Sequence, residues 1–172
     1  MLPSQALSRQ FERPATATVG DGGAVVVRAD DSREGFSIGS LHLAIRYEYG
    51  SMLVDPPPVA RLPGAPAWFA GMSNIDGALV PVFDLAELFC VERLAGSKQM
   101  LLVLGHGDEQ AGVLIDGIPR RLRLPSGSRL EEFTTGQHLA GCIAGVYRVD
   151  GEDWMDLKHS ALLDKLVELL AR

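Results

Sequence analysis

The chain has 172 residues, a formal net charge of −6, and 22% charged against 47% apolar residues. That length is one ordinary domain or two very small ones, and the apolar share supports a packed core rather than wholesale disorder. The acidic balance argues against a nucleic-acid binder or a binder of anionic lipid, because phosphate groups need a basic surface.

Glycine (19) and proline (10) together fill a large share of the chain, roughly one position in six against about one in eight in average usage. Many turns, and therefore many short strands, are expected. Aromatics are only 6%, so the core must be built mainly from Val, Leu, Ile and Ala.

Residues 1–34 read as a loosely structured N-terminal extension. Their single apolar run, Ala24-Val25-Val26-Val27, offers little surface to offset ordering entropy, with an edge strand over Val25–Val27 as the alternative. From Phe36 the pattern becomes alternating. Phe36-Ser37-Ile38 and Leu41-His42-Leu43-Ala44-Ile45-Arg46-Tyr47, split by Gly39-Ser40, predict a hairpin. Met52-Leu53-Val54 is a further short strand, stopped by Pro56-Pro57-Pro58, which cannot donate backbone hydrogen bonds.

Trp68-Phe69-Ala70 reads as a short apolar turn anchored on the core. Met72–Ile75 and Ala78–Phe83 flank Asp76-Gly77, a strong hairpin signal because both turn residues tolerate positive φ. Pro81 confines its strand to an edge or a bulge. Asp84 with Glu87 three residues later predicts a capped helix start. Met100–Leu104 and Ala111–Ile115 are apolar strands, the second expected to stop at Asp116-Gly117. Arg121-Leu122-Arg123-Leu124 alternates with leucines inward. Cys142–Val149 pairs with a return at Asp153–Asp156, and a helix from about Ser160 to Leu170 carries a wide leucine and valine stripe. Strands at this spacing indicate a mainly β protein built of small closed barrels.

Catalytic signatures are missing from the sequence. It has no phosphate loop, no G-x-S-x-G and no dinucleotide fingerprint. His42, His106, His138 and His159 occupy separate segments and read as surface or turn residues, so no metal and no other cofactor is expected. Cys90 and Cys142 lie far apart without C-x-x-C spacing and sit among apolar neighbours, which predicts two buried free thiols. Asp84 reads as a helix cap rather than a general base. Arg120, Arg121 and Arg123 are either the wet face of a strand or part of a docking surface for an acidic partner. No basic-then-apolar start suggests a secretory signal, and no apolar run approaches the roughly 18 residues that span a bilayer. The expectation is a soluble protein of a reducing compartment, with no membrane insertion and with exposed apolar strand edges as its binding surface.

Three blocks carry a resemblance: Phe36-x-Ile38-Gly39, Trp68 through Leu85, and Gly112 through Ile118. Their order and spacing resemble the CheW-like domain of bacterial chemotaxis adaptors, over about Phe36 to Leu170. The resemblance implies a domain over 35–172 made of two five-stranded SH3-like barrels on a shared core, with no enzymatic activity. It implies a cytoplasmic signalling adaptor or scaffold that couples methyl-accepting chemoreceptor tips to the regulatory domain of a CheA-type histidine kinase, in arrays at the inner face of the membrane. The wording around Leu62-Pro63-Gly64 and Trp68 is similar to adaptors of pilus-linked systems that drive twitching motility. Carried over position by position, the partner-contacting candidates are Tyr47, Met52 and Val54 on one strand and Asn74, Asp76, Gly77 and Leu79 around the hairpin turn. Two positions depart from the family pattern: Asp76 stands where the family usually has Arg, and Met52 where it commonly has Glu. These departures leave open a divergent CheW-like domain that has lost receptor and kinase coupling and serves another scaffold. A small ligand-binding barrel is a third reading, which needs a pocket with converging polar groups.

Overall fold

The computed structural model describes residues 32–46, 51–134, 136 and 138–172. The expected extension over 1–34 (apart from its last residues, 32–34), the run Val25–Val27 and the candidate Tyr47 lie outside the described residues. Among the described residues, nine strands and two α-helices follow in order: β1 (Ser32–Ile38), β2 (Leu41–Arg46), β3 (Ser51–Val54), β4 (Phe69–Ile75), β5 (Ala78–Phe83), α1 (Leu85–Phe89), β6 (Gln99–Leu104), β7 (Ala111–Arg123), β8 (Ile143–Val149), β9 (Glu152–Leu157) and α2 (His159–Leu170).

The strands form one sheet in the order β3-β6-β7-β1-β2-β9-β8, with β5 joined to both β4 and β7. The 13-residue β7 divides it. Its first part pairs with β6 and, in parallel, with β5 at Val82↔Gly112 and Phe83↔Val113. Its second part pairs with β1. Two strand groups therefore share β7: a first half of β3, β6, β5 and β4, and a second half of β1, β2, β9 and β8. Each half is drawn towards closure by a connector. In the first, Ala60 exchanges both backbone hydrogen bonds with Met72 of β4, at 2.8 and 2.9 Å. In the second, Arg129 bridges to Tyr147 of β8. This arrangement is consistent with two five-stranded barrels sharing a strand.

The packing follows the same division. One apolar cluster (Ile75, Val80, Val82, Leu101, Val103, Leu114) fills the first half, and another (Ala44, Leu122, Leu124, Trp154) fills the second. The largest cluster joins residues of both halves, including Phe36, Leu43, Leu102 and Ile115, with Leu85 of α1 and Leu162 and Leu166 of α2. The helices thus cover a core that both halves contribute to.

Local chemistry accounts for the elements. The Asp84 carboxylate accepts hydrogen bonds from the Ala86 and Glu87 N–H groups, and Cys90 ends α1 in the left-handed conformation. Pro81 faces Met72 of β4 one position before the β5–β7 pairing begins, so its missing N–H leaves no rung broken. Gly35 lets Trp154 pack over β1, since a Cβ there would lie 1.9 Å from Leu122 and 2.6 Å from Trp154. Arg33 of β1 and Asp156 of β9 form a buried two-pronged ion pair, at 2.8 and 3.0 Å.

Four expectations need correction. Asp116-Gly117 does not stop its strand. Asp116 pairs with Gln99 of β6 and Ser37 of β1, and β7 continues through it to Arg123. The Asp-Gly pair serves as an irregularity, with Gly117 at φ 78, that lets one strand pass from one half to the other. Trp68-Phe69-Ala70 is not a single turn, because Phe69 and Ala70 already belong to β4. Cys90 is exposed, since it caps α1, and only Cys142 is a buried thiol. His159 is buried at the start of α2 rather than on the surface. The apolar stripe of α2 is wider than its buried face: Leu162 and Leu166 are buried while Val167 is 64% exposed.

Candidate functional site

The β4–β5 hairpin displays four of the predicted contact residues. Asp76 at φ 50 and Gly77 at φ 89 form the two-residue turn with both central residues left-handed, which matches the right-handed strand twist. The Asn74 side chain accepts a hydrogen bond from the Gly77 N–H at 2.9 Å, which fixes the turn and holds the amide at its tip. Asn74, Asp76 and Gly77 are all exposed. Leu79 follows on β5, 70% exposed, in a strand whose later residues are buried. An apolar side chain this open beside a rigid polar turn is a surface suited to contact.

Met52 and Val54 sit on β3, which among the described residues pairs with β6 alone, at Met52↔Val103 and Val54↔Leu101. Both are half-buried and pack on the cluster that also holds Ile75 and Val80 of the hairpin. Leu53 points the other way, to the shared core. The structure therefore seats the β3 pair and the hairpin strands on one apolar cluster of the first half. The connector between β3 and β4 binds them further. The Ser73 hydroxyl donates to the Pro58 carbonyl at 2.9 Å, and Gly71, at φ 136, leaves room for the Ala60 carbonyl, which a Cβ would approach to 2.2 Å.

The structure also shows an ionic chain that sequence reasoning missed. Arg93, in the loop after α1, bonds Asp84 at 2.7 Å and Asp116 at 2.8 Å, and the other Asp116 oxygen accepts from the Gly39 N–H at 2.6 Å. Asp84 therefore caps α1 and also anchors Arg93. Nothing in the sequence marked Arg93, because its two partners are 9 and 23 positions away. In the basic cluster, Arg120 bonds Glu152 at 2.8 Å and stacks on Trp154 at 4.8 Å, which favours the structural reading for that residue.

Among the described residues, no group of three or more His, Cys, Asp or Glu is placed to hold a metal ion, and no helix is long and apolar enough to cross a membrane. Burial pushes the Cys142 thiol above its usual range and pulls His159 below the usual imidazole value, with Glu109 opposing the latter. Neither group belongs to the hairpin site.

Known proteins resemble this chain in sequence and in fold. The chain is 34% identical over 86 residues to the protein PilI of Pseudomonas aeruginosa, a match covering 49% of this chain and 48% of PilI. It is 28% identical over 127 residues to the chemotaxis protein CheW of Helicobacter pylori, covering 70% and 73% of the two chains. The chain thus matches about half the length of PilI and more of the H. pylori protein. In fold it is similar to the scaffolding protein TtCheW of Thermoanaerobacter tengcongensis, with a TM-score of 0.65 at 16% identity over 80% of this chain and 90% of that one. The model of the CheW-like domain matches residues 34–167, most of the sequence and both halves of the sheet, and the chain belongs to that family.

Proposed function

We propose that the protein is a non-catalytic adaptor of a chemosensory pathway, joining chemoreceptor tips to the regulatory domain of a CheA-type histidine kinase. The observation that carries this reading is the hairpin surface: Leu79 stands 70% exposed beside the locked Asn74–Gly77 turn, over a cluster shared with Met52 and Val54. Apolar anchors on a rigid strand platform suit protein–protein contact better than turnover of a small molecule. Family membership and the names of the relatives point the same way, and the likeness to PilI favours a pilus-linked pathway. The partner contacts are assigned to Met52, Val54, Asn74, Asp76, Gly77 and Leu79, with Tyr47 as a further candidate. The adaptor domain is taken as 35–172 with an extension before it, and the site of action as the cytoplasm. The test is binding of the full chain to a kinase regulatory domain, with Leu79→Asp expected to weaken it.

A second reading has one specific observation in its favour. Asp76 puts a carboxylate at the exposed tip where the family pattern has a cation. A domain that keeps the platform but has changed its receptor would look the same. Receptor-tip binding that appears only in Asp76→Arg supports the second reading, whereas binding by the unaltered chain supports the first.

A further inference from the structure

A cavity of about 340 Å³ opens between α2, the end of β5 and the turn before β7, and the adaptor reading does not use it. Its apolar lining is Pro81 and Phe83 of β5, Ala111 of β7, and Leu163 and Val167 of α2. The size is at the low end for binding pockets, enough for one or two apolar side chains. Asp108, Glu109 and Asp164 also line it, and no lysine or arginine does. None of these three carboxylates is in an ion pair among the described residues, and the nearby Lys165 pairs with Glu168 at 3.5 Å. His159, the remaining ionisable lining group, is pulled below the usual imidazole value by burial and held up by Glu109, so of the three carboxylates Glu109 has a titratable neighbour there.

Three carboxylates around an apolar cleft that no lysine or arginine lines are complementary to one chemistry: an apolar anchor flanked by positive charge. Val167 adds the signature of a missing neighbour, an aliphatic side chain 64% exposed on the stripe that elsewhere buries Leu162 and Leu166. We propose that this cleft docks a cationic amphipathic segment of a partner protein. An aliphatic or aromatic side chain enters beside Phe83 and Leu163, and lysines or arginines meet Asp108, Glu109 and Asp164. The proposal goes beyond the adaptor reading and stands without it, since Leu79→Asp tests the hairpin and the variants below test the cleft.

The experiment uses the full chain with isotope labels and a synthetic helix-forming peptide, with leucines at i, i+4 spacing and lysines on the other face. Backbone amide shifts followed during titration should move at Ala111, Leu163 and Val167. Asp108→Lys with Asp164→Lys, both exposed and so tolerated by the fold, should weaken binding about tenfold or more. Glu131→Lys with Glu132→Lys, which changes net charge equally at a distant exposed site, should leave it within about twofold. Val167→Asp should weaken it as well. Equal loss in the two lysine pairs would overturn the proposal. So would shifts confined to other surfaces, or equal binding of a peptide with glutamates in place of lysines.

Discussion

Asp116 of β7 accepts a hydrogen bond at 2.6 Å from the Gly39 N–H, a residue 77 positions earlier in the turn between β1 and β2. Its other oxygen bonds Arg93, and the carboxylate is almost fully buried. This one side chain satisfies a buried amide of the second half and a guanidinium held by the first. Asp116→Ala leaves the Gly39 N–H without its acceptor and Arg93 with Asp84 and the Leu114 carbonyl, and is expected to cost about 2 kcal/mol. Urea unfolding measures the loss, and a change below about 1 kcal/mol would contradict the role assigned to the residue.

Two glycines with positive φ should respond differently to alanine. Gly71→Ala drives a Cβ to 2.2 Å from the Ala60 carbonyl and strains the backbone at once, so the connector that closes the first half must shift. Gly77→Ala meets nothing within 4 Å and carries only the conformational penalty, roughly 1–2 kcal/mol. The melting temperature of Gly71→Ala should therefore fall well below that of Gly77→Ala. The reverse order would contradict the packing described.

The pH dependence of stability has a definite sign at His159. Burial lowers its folded pKa below the unfolded value of 6.5, so between those two values the unfolded chain binds the proton and the folded one does not. Stability is fully present above the unfolded value and falls on acidification through that window. His159→Gln should lose less stability than the unaltered chain between pH 7.5 and pH 5.5, by urea midpoints at each pH. An equal loss in both would remove His159 from the account.

The two thiols should separate in reactivity. Cys90 is exposed, whereas Cys142 is buried, raised in pKa by that burial, and donates to the Ala161 carbonyl at 3.4 Å. A thiol reagent at pH 8 is expected to label Cys90 promptly and Cys142 only after denaturation. Rapid labelling of both would contradict the packing of Cys142 under α2.

Much of the fold was legible because its signals are local. The Asp76-Gly77 turn, the Asp84 cap and the Arg121–Leu124 alternation each depend on a few adjacent residues, and each lies where the pattern put it. The second Asp-Gly pair shows the limit. Its dipeptide is the same, but Asp116 has partners at Gly39 and Arg93 that no local window contains, and those partners hold the strand through the irregularity instead of letting it reverse. Cys90 failed for a related reason: its neighbours are apolar, yet ending α1 turns it outward. At the site, the exposure of Leu79 follows from the hairpin, but the cleft beside α2 needs three separated segments to meet, which no local window contains.

The most direct test of the adaptor reading is the affinity of the full chain for the regulatory domain of a CheA-type kinase from the same cell, measured by titration calorimetry beside Leu79→Asp. Leu79 is exposed, so the variant keeps the fold, and its effect reads out the surface alone. The account predicts a saturable complex that Leu79→Asp weakens about tenfold or more, as expected for a buried interface anchor. No complex at high micromolar concentration with any such kinase, or a complex that Leu79→Asp leaves unchanged, would contradict it.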